Sequence, residues 1–241
     1  MTERVNLATR LGQRFGTATT DHYLDGLIAQ GGVSLALDIG CGHTSLLTRL
    51  RPRIKTAGLD IFTIAAASEL QAHDHYINAD ITDIPVAQIR DELQKTFGRP
   101  TVDLVTLFGV IEHFPKSTGL KLLDKIEQLT SRYIFIDTPN GFVPQGPEYG
   151  NPYQRHLSGW FPHEFEAYGY RVHGSLGTKY LRGYMGEPRM AWPGMRLFDN
   201  VVMSRLLMTG RFAQHAFSFS AIKDLHGVPA RYESYHDPKR V

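Results

Sequence analysis

Three acids, a glycine turn and two histidines are the residues of this 241-residue chain whose types and places could do chemistry. Asp38 stands in ALDIGCGHTS (36–45), Asp60 in GLDIF (58–62) and Asp80 in NADITDIP (78–85). Each acid closes a short apolar run, and Asp60 follows Asp38 by 22 residues. An acid placed like Asp60 can accept both hydroxyls of a ribose. One placed like Asp80 can accept a hydrogen bond from an exocyclic amine such as that of adenine. Gly40 and Gly42 come directly after Asp38. Glycine has no Cβ, so a ligand can lie close to the backbone there, and a helix start behind the turn offers free N–H groups. A Gly-x-Gly turn alone is also met as a plain tight strand–helix turn. His113 stands in LFGVIEHF (107–114) and His156 in NPYQRHLSGW (151–160). Imidazole is the side-chain base suited to neutral pH, and a placed base speeds deprotonation of a hydroxyl by roughly 10²–10⁴-fold. Cys41, inside the glycine turn, reads as a packing residue rather than a nucleophile.

These residues need a scaffold that brings strand ends together, and the chain alternates accordingly. Apolar runs at 33–39, 54–61, 75–80, 102–110 and 132–139 read as strands. Segments 43–51, 64–73, 85–98 and 118–130 between them read as helices, the third opened by Pro85 and closed by Gly98. Alternation of this kind implies a mostly parallel sheet with helices on both faces. Ligands then bind beyond the carboxyl ends of the strands, where the three acids fall. Two further strands are expected at 170–176 and 216–225. Two segments break the rhythm. Residues 138–160 carry Tyr149, Asn151, Tyr153, Gln154, Arg155, His156 and Trp160, a mix of aromatic and polar groups suited to a polar organic substrate. Residues 177–214 include the helical stretch 197–210, whose apolar face suits a lid or the contact of a homodimer.

Composition narrows the partners. The formal net charge is +2, so neither nucleic acid nor an anionic membrane is expected as the main partner. Arg49, Arg51, Arg53 and Lys55 form a basic cluster that reads as solvated surface. One cysteine excludes an internal disulfide and fits a reducing compartment. No run approaches the ~20 apolar residues of a membrane span, and the first residues mix charges into their apolar positions, unlike a signal peptide. The expectation is a soluble, cytoplasmic chain forming one domain over 1–241, with a helical cap over 1–30.

The motifs ALDIGCGHTS, GLDIF, NADITDIP and LFGVIEHF, in this order and spacing, resemble the class I S-adenosylmethionine-dependent methyltransferases of the small-molecule type. The resemblance spans roughly residues 30–140 and continues more loosely to the last strand. It implies a Rossmann-like sheet of seven strands, the last antiparallel beside the fifth, with the lid insertion between the last two. It implies that Asp38, Gly40, Cys41 and Gly42 line the methionine part of S-adenosylmethionine, and that Asp60 binds its ribose. Ile61 and Phe62 would pack on the adenine, with Asp80 and Ile81 at its other edge. Phe108 and Gly109 would lie near the transferable methyl, and Glu112-His113 resembles a pair found in many small-molecule members. The substrate would be a small polar metabolite, sugar or natural-product intermediate, methylated on a hydroxyl sooner than an amine, with His156 or His113 as base. Tyr23 is a further candidate contact. Metal independence is expected: Asp137 and Asn140 lie near the right edge, but the fourth strand ends in Phe108-Gly109 rather than in an acid.

Two other readings compete. A nicotinamide-dependent oxidoreductase would place a third glycine where this chain has Ser45, and its pyrophosphate would face Asp38. A cofactor bearing a sulfonium and an ammonium suits that acid better. The third reading, an inactive cofactor-binding partner subunit, would show a damaged cofactor turn, and the turn is intact.

Overall fold

The computed structural model describes residues 20–29, 31–42, 45–61, 73–147, 151–183, 186–190, 194–207 and 209–227. In chain order these form α1 (Thr20–Ala29), β1 (Leu35–Ile39), β2 (Lys55–Asp60), β3 (His75–Asn78), α2 (Val86–Phe97), β4 (Val102–Phe108), α3 (Lys116–Glu127), β5 (Thr130–Pro139), α4 (Pro162–Ala167), β6 (Arg171–Thr178) and β7 (Ala216–Asp224). The seven strands make one sheet in the order β3-β2-β1-β4-β5-β7-β6. Strands β1 to β5 pair in parallel, and β7 runs antiparallel to both β5 and β6. The seven-stranded sheet and the antiparallel last strand agree with the expectation from sequence, and β6 takes the edge beyond β7.

The apolar runs are strands because both their faces are covered. In β1, Leu35, Leu37 and Ile39 pack with α2 and α3 through Ile89, Leu93, Leu122 and Ile126. Ala36 faces the other core, where Leu24, Leu27 and Ile28 of α1 meet Leu47, Leu50, Leu104 and Phe135. Arg49 holds α1 in place: its guanidinium reaches Asp25 at 2.8 Å and Asp21 at 3.0 Å. Arg53 also meets Asp25, while Arg51 and Lys55 meet Asp74. The basic cluster is therefore matched by acids of the same surface.

Several element bounds differ from the sequence expectation. Within 43–51 the described part is a 3₁₀ turn at Thr48–Leu50. Pro52 brings no N–H to carry a helix onward. Helix α3 begins at Lys116, two residues before the expected start, because Pro115 sets the extended entry (ψ 146°). The stretch expected at 197–210 is helical over 195–206, but its middle, Phe198–Met203, has π-helical bonding between the α turns Met195–Leu197 and Ser204–Leu206. The expected helix over 64–73 lies outside the described residues up to position 72, as do Phe62, Tyr149 and residues 1–19 of the N-terminal cap.

Candidate active site

The switch in strand order falls between β1 and β4, which both neighbour each other and run on to opposite sides of the sheet. Asp38 sits there, paired in register with Thr106. It is 3 % exposed. Thr106 donates its hydroxyl to Asp38 Oδ1 at 2.6 Å, and Ser45 donates to Oδ2 at 2.5 Å. Burial pushes the Asp38 carboxyl up to about 6, opposed by the Ser45 and Thr106 hydroxyls and supported by the nearby charge of Asp60. His73 lies against Asp38 with its Nε2 3.7 Å from Oδ2. Burial pushes His73 down to about 4, so the contact is one of a neutral ring and not an ion pair.

The glycine turn is built around these acids. The Gly40 amide donates to Leu59 O at 2.7 Å, and the Gly42 amide donates to Asp60 Oδ2 at 2.8 Å. Both glycines have left-handed φ, +69° and +53°. A Cβ on Gly40 would stand 2.5 Å from Val110, whereas one on Gly42 would meet nothing within 4 Å among the described atoms. The turn thus closes against the core at Gly40. Cys41 is buried, and burial pushes its thiol up, which suits packing and removes it as a nucleophile. Ile61 O accepts from Asn78 Nδ2 at 3.2 Å, which ties the residue after β2 to β3. Asp80 caps its own turn through Thr82, and Ile81 is in the core. Two buried acids, a backbone cradle and an apolar edge fit a ligand with an ammonium, a ribose diol and an adenine.

The other half of the site grows from the end of β4. Gly109, at φ +65°, breaks the strand, and the 3₁₀ turn Ile111–His113 follows. Glu112 is 4 % exposed, and a Cβ on Gly109 would lie 3.7 Å from its Oε1. Its Oε2 accepts from the Thr138 hydroxyl at 3.0 Å. Burial pushes the Glu112 carboxyl up to about 7, opposed by its own backbone amide and Thr138, with Asp137 pushing the same way as burial. The long loop returns to this turn. Leu157 and Ser158 donate their amides to Glu112 O at 2.8 and 3.0 Å. This tether brings His156 to His113, with ring centroids 4.9 Å apart. His113 Nδ1 lies 3.1 Å from Arg155 O, and His156 Nδ1 lies 2.6 Å from Val143 O. A carbonyl only accepts, so Nδ1 carries the proton in both rings and the lone pair is on Nε2. Burial pushes both imidazoles below their ordinary value, aided at His113 by His156, against the pull of those carbonyls and, at His113, of the Gly109 backbone as well. One ligating atom each from Glu112, His113 and His156 lie within 4.8 Å of one another.

The remaining loop residues divide. Tyr153 is half-exposed and Arg155 exposed. Asn151 caps the short turn Pro152–Gln154 by accepting from the Tyr153 amide, and Gln154 O accepts from Gln145. Trp160 corrects an expectation. At 1 % exposure it is a core residue packed on Gly119 and Phe165, so it anchors the loop and leaves no face for a substrate. Asp137 and Asn140 are likewise engaged: Asp137 accepts from Thr20, Ser175, Ser218 and Ser220, and Asn140 donates to three backbone carbonyls. Tyr23 stacks on His173 at 4.5 Å. Sequence reasoning missed Thr106, His73 and Thr138, since their partners are distant in the chain and only the sheet register joins them.

Residues 37–143 match the family model of a methyltransferase domain. The search of curated proteins gives no match. Among solved structures the chain resembles a SAM-dependent methyltransferase from Archaeoglobus fulgidus, at 17% identity over 91% of this chain and 100% of that one, with TM-score 0.48. It resembles the magnesium protoporphyrin IX methyltransferase of Synechocystis PCC 6803 at 16% identity over 70% and 76% of the two chains, TM-score 0.44. It also resembles the small RNA methyltransferase HEN1 at 17% identity, covering 84% of this chain and 24% of that one, TM-score 0.49. A porphyrin and a small RNA are named for the last two, so these likenesses select no acceptor. The matched domain starts inside β1 and takes in both acids, the glycine turn and the Glu112-His113 turn, so over residues 37–143 the chain carries a methyltransferase domain.

Proposed function

We propose that this enzyme methylates a hydroxyl group of a small polar metabolite, sugar or natural-product intermediate. The observation that carries the reading is the pair of neutral imidazoles, His113 and His156, held with their Nδ1 protons on backbone carbonyls beside Gly109 at the end of β4. An acceptor that was already a neutral amine would need no such pair. The same loop and its continuation expose Phe142, Tyr153, Leu157 and Phe161, apolar groups that suit an organic substrate. The basic cluster gives no support to a polyanion, because its four cations are matched by Asp21, Asp25 and Asp74.

The division of labour follows from the residues. Asp38 and the glycine turn hold the methionine end, Asp60 holds the ribose, and Ile61, Asp80 and Ile81 frame the adenine. The bound cofactor supplies a methyl group on a positively charged sulfur. Phe108 and Gly109 border the space where donor and acceptor meet, and alignment of the two there supplies about 7–11 kcal/mol of the acceleration. His156 or His113 draws the proton from the acceptor hydroxyl through Nε2. Transfer forms the carbon–oxygen bond, breaks the carbon–sulfur bond and leaves the electron pair on sulfur. We place residues 138–160 and 177–214 at the substrate pocket of a single domain spanning 1–241, in the cytoplasm.

The test is a screen of hydroxylated and amino acceptors with methyl-labelled S-adenosylmethionine, the product's linkage being read by NMR. An O-methyl product agrees with the proposal, and products methylated only on nitrogen contradict it. Full turnover by His156→Ala at neutral pH would remove that residue from the base role and leave His113.

A further inference from the structure

We infer that Glu112, His113 and His156 form a binding site for one divalent first-row transition-metal cation. The three come from two separate chain segments, yet one ligating atom of each lies within 4.8 Å of the others. Each ring spends its Nδ1 proton on a main-chain carbonyl, Arg155 O for His113 and Val143 O for His156. That is the outer support metal-ligating histidines ordinarily have, and it fixes the lone pair on Nε2. The carboxylate is supported too, since Thr138 donates to Glu112 Oε2 at 3.0 Å. The backbone holds the two segments in one frame before any ligand arrives, through the Leu157 and Ser158 amides on Glu112 O and the His156 amide on Gln145 O.

Donor type selects the cation. Two imidazoles and one carboxylate suit Mn²⁺, Fe²⁺, Co²⁺ or Zn²⁺ better than Mg²⁺ or Ca²⁺, which favour oxygen alone. Ligand bonds of about 2.0–2.2 Å put neighbouring donor atoms roughly 3–3.5 Å apart. The cluster therefore draws in by about an ångström on binding, a movement within reach of side-chain torsions. Three protein ligands leave coordination positions open. Resting on the proposal that a hydroxyl is methylated at this cluster, one open position takes the acceptor oxygen. The cation lowers that hydroxyl's pKa, and its proton leaves to water, since both Nε2 lone pairs are then engaged. The oxygen attacks the methyl carbon, the carbon–sulfur bond breaks, and the electron pair stays on sulfur. The cation keeps its oxidation state throughout.

The experiment is titration of the EDTA-treated full chain with Mn²⁺, free Mn²⁺ being followed by electron paramagnetic resonance, and a parallel titration with Co²⁺ followed in the visible spectrum. One cation per chain is expected, with binding weakened at least about tenfold in His113→Ala, His156→Ala and Glu112→Gln. The exposed His163→Ala variant should bind as the wild type does. S-adenosylhomocysteine binding by each variant shows that its fold is retained, and the wild-type stoichiometry stands whichever variant fails to fold. Binding of Mn²⁺ and Co²⁺ no tighter than millimolar, or unchanged in both histidine variants, overturns the inference. The two proposals separate in turnover. Full O-methylation after EDTA, with loss in His156→Ala, keeps the imidazole base and removes the cation. Stoichiometric cation binding with products methylated only on nitrogen keeps the cation and removes the hydroxyl acceptor.

Discussion

Asp38→Asn should make the ligand-free protein more stable as the pH rises, while disabling cofactor binding. The folded chain holds the Asp38 proton up to about pH 6, against 3.8 for the ordinary carboxyl. A raised acid means that the folded state binds the proton more tightly than the unfolded state. Below both values the group is protonated in either state and contributes nothing. As the pH climbs between them the unfolded chain ionises first, and stability is lost. At about 1.36 kcal/mol per pKa unit, the burial of this charge costs about 3 kcal/mol at pH 8 and about 1 kcal/mol near pH 4.5. An asparagine removes that cost. It also changes the hydrogen bonds from Ser45 and Thr106, but this part does not depend on pH and cancels between conditions. The stability of the variant relative to wild type should therefore rise by about 2 kcal/mol from about pH 4.5 to pH 8. Urea unfolding at the two pH values measures it, and S-adenosylhomocysteine titration at pH 8 measures the loss of binding. A relative stability that stays constant, or falls, between the two conditions would refute the reasoning that Asp38 is ionised against its environment.

Asp60→Ala removes both the ribose acceptor and the bond that holds the Gly42 amide; calorimetric titration should show cofactor affinity lost with the fold intact by circular dichroism. Trp160→Ala opens a large cavity between Gly119 and Phe165 and should cost about 3–5 kcal/mol in denaturant unfolding. Gly119→Val approaches the same contact from the other side, since a Cβ there already stands 2.5 Å from the indole, and should cost about 1–3 kcal/mol. His156→Ala should lower kcat by roughly 10²–10⁴-fold in a steady-state assay, with S-adenosylhomocysteine affinity unchanged.

The sheet was legible because buried parallel strands leave continuous apolar runs, and 102–108 or 132–139 could hardly be anything else. The cofactor half was legible for a related reason. Each of its acids immediately follows such a run, so strand order alone places Asp38 and Asp60 on one edge. Support for those acids was not legible. Thr106 meets Asp38 only through the β1–β4 register, and His73 meets it from a bend before β3. The acceptor half was half-read. His113 and His156 each read from sequence as a candidate base, but their meeting depends on two loop amides bonding to Glu112 O, which leaves no periodic trace. Glu112 was noted only as His113's neighbour, and its burial follows from the turn that Gly109 sets. Trp160 was misplaced because an aromatic in a polar loop reads the same whether it faces a ligand or staples the loop to the core.

The most direct measurement is parallel isothermal titration of the purified chain with S-adenosylmethionine, S-adenosylhomocysteine and NADH. Micromolar binding of the first two, lost in Asp60→Ala, and none of NADH is the result this account predicts. Binding of NADH with neither sulfur compound would contradict it, and would make Ser45 a tolerated substitute for glycine in a dehydrogenase turn.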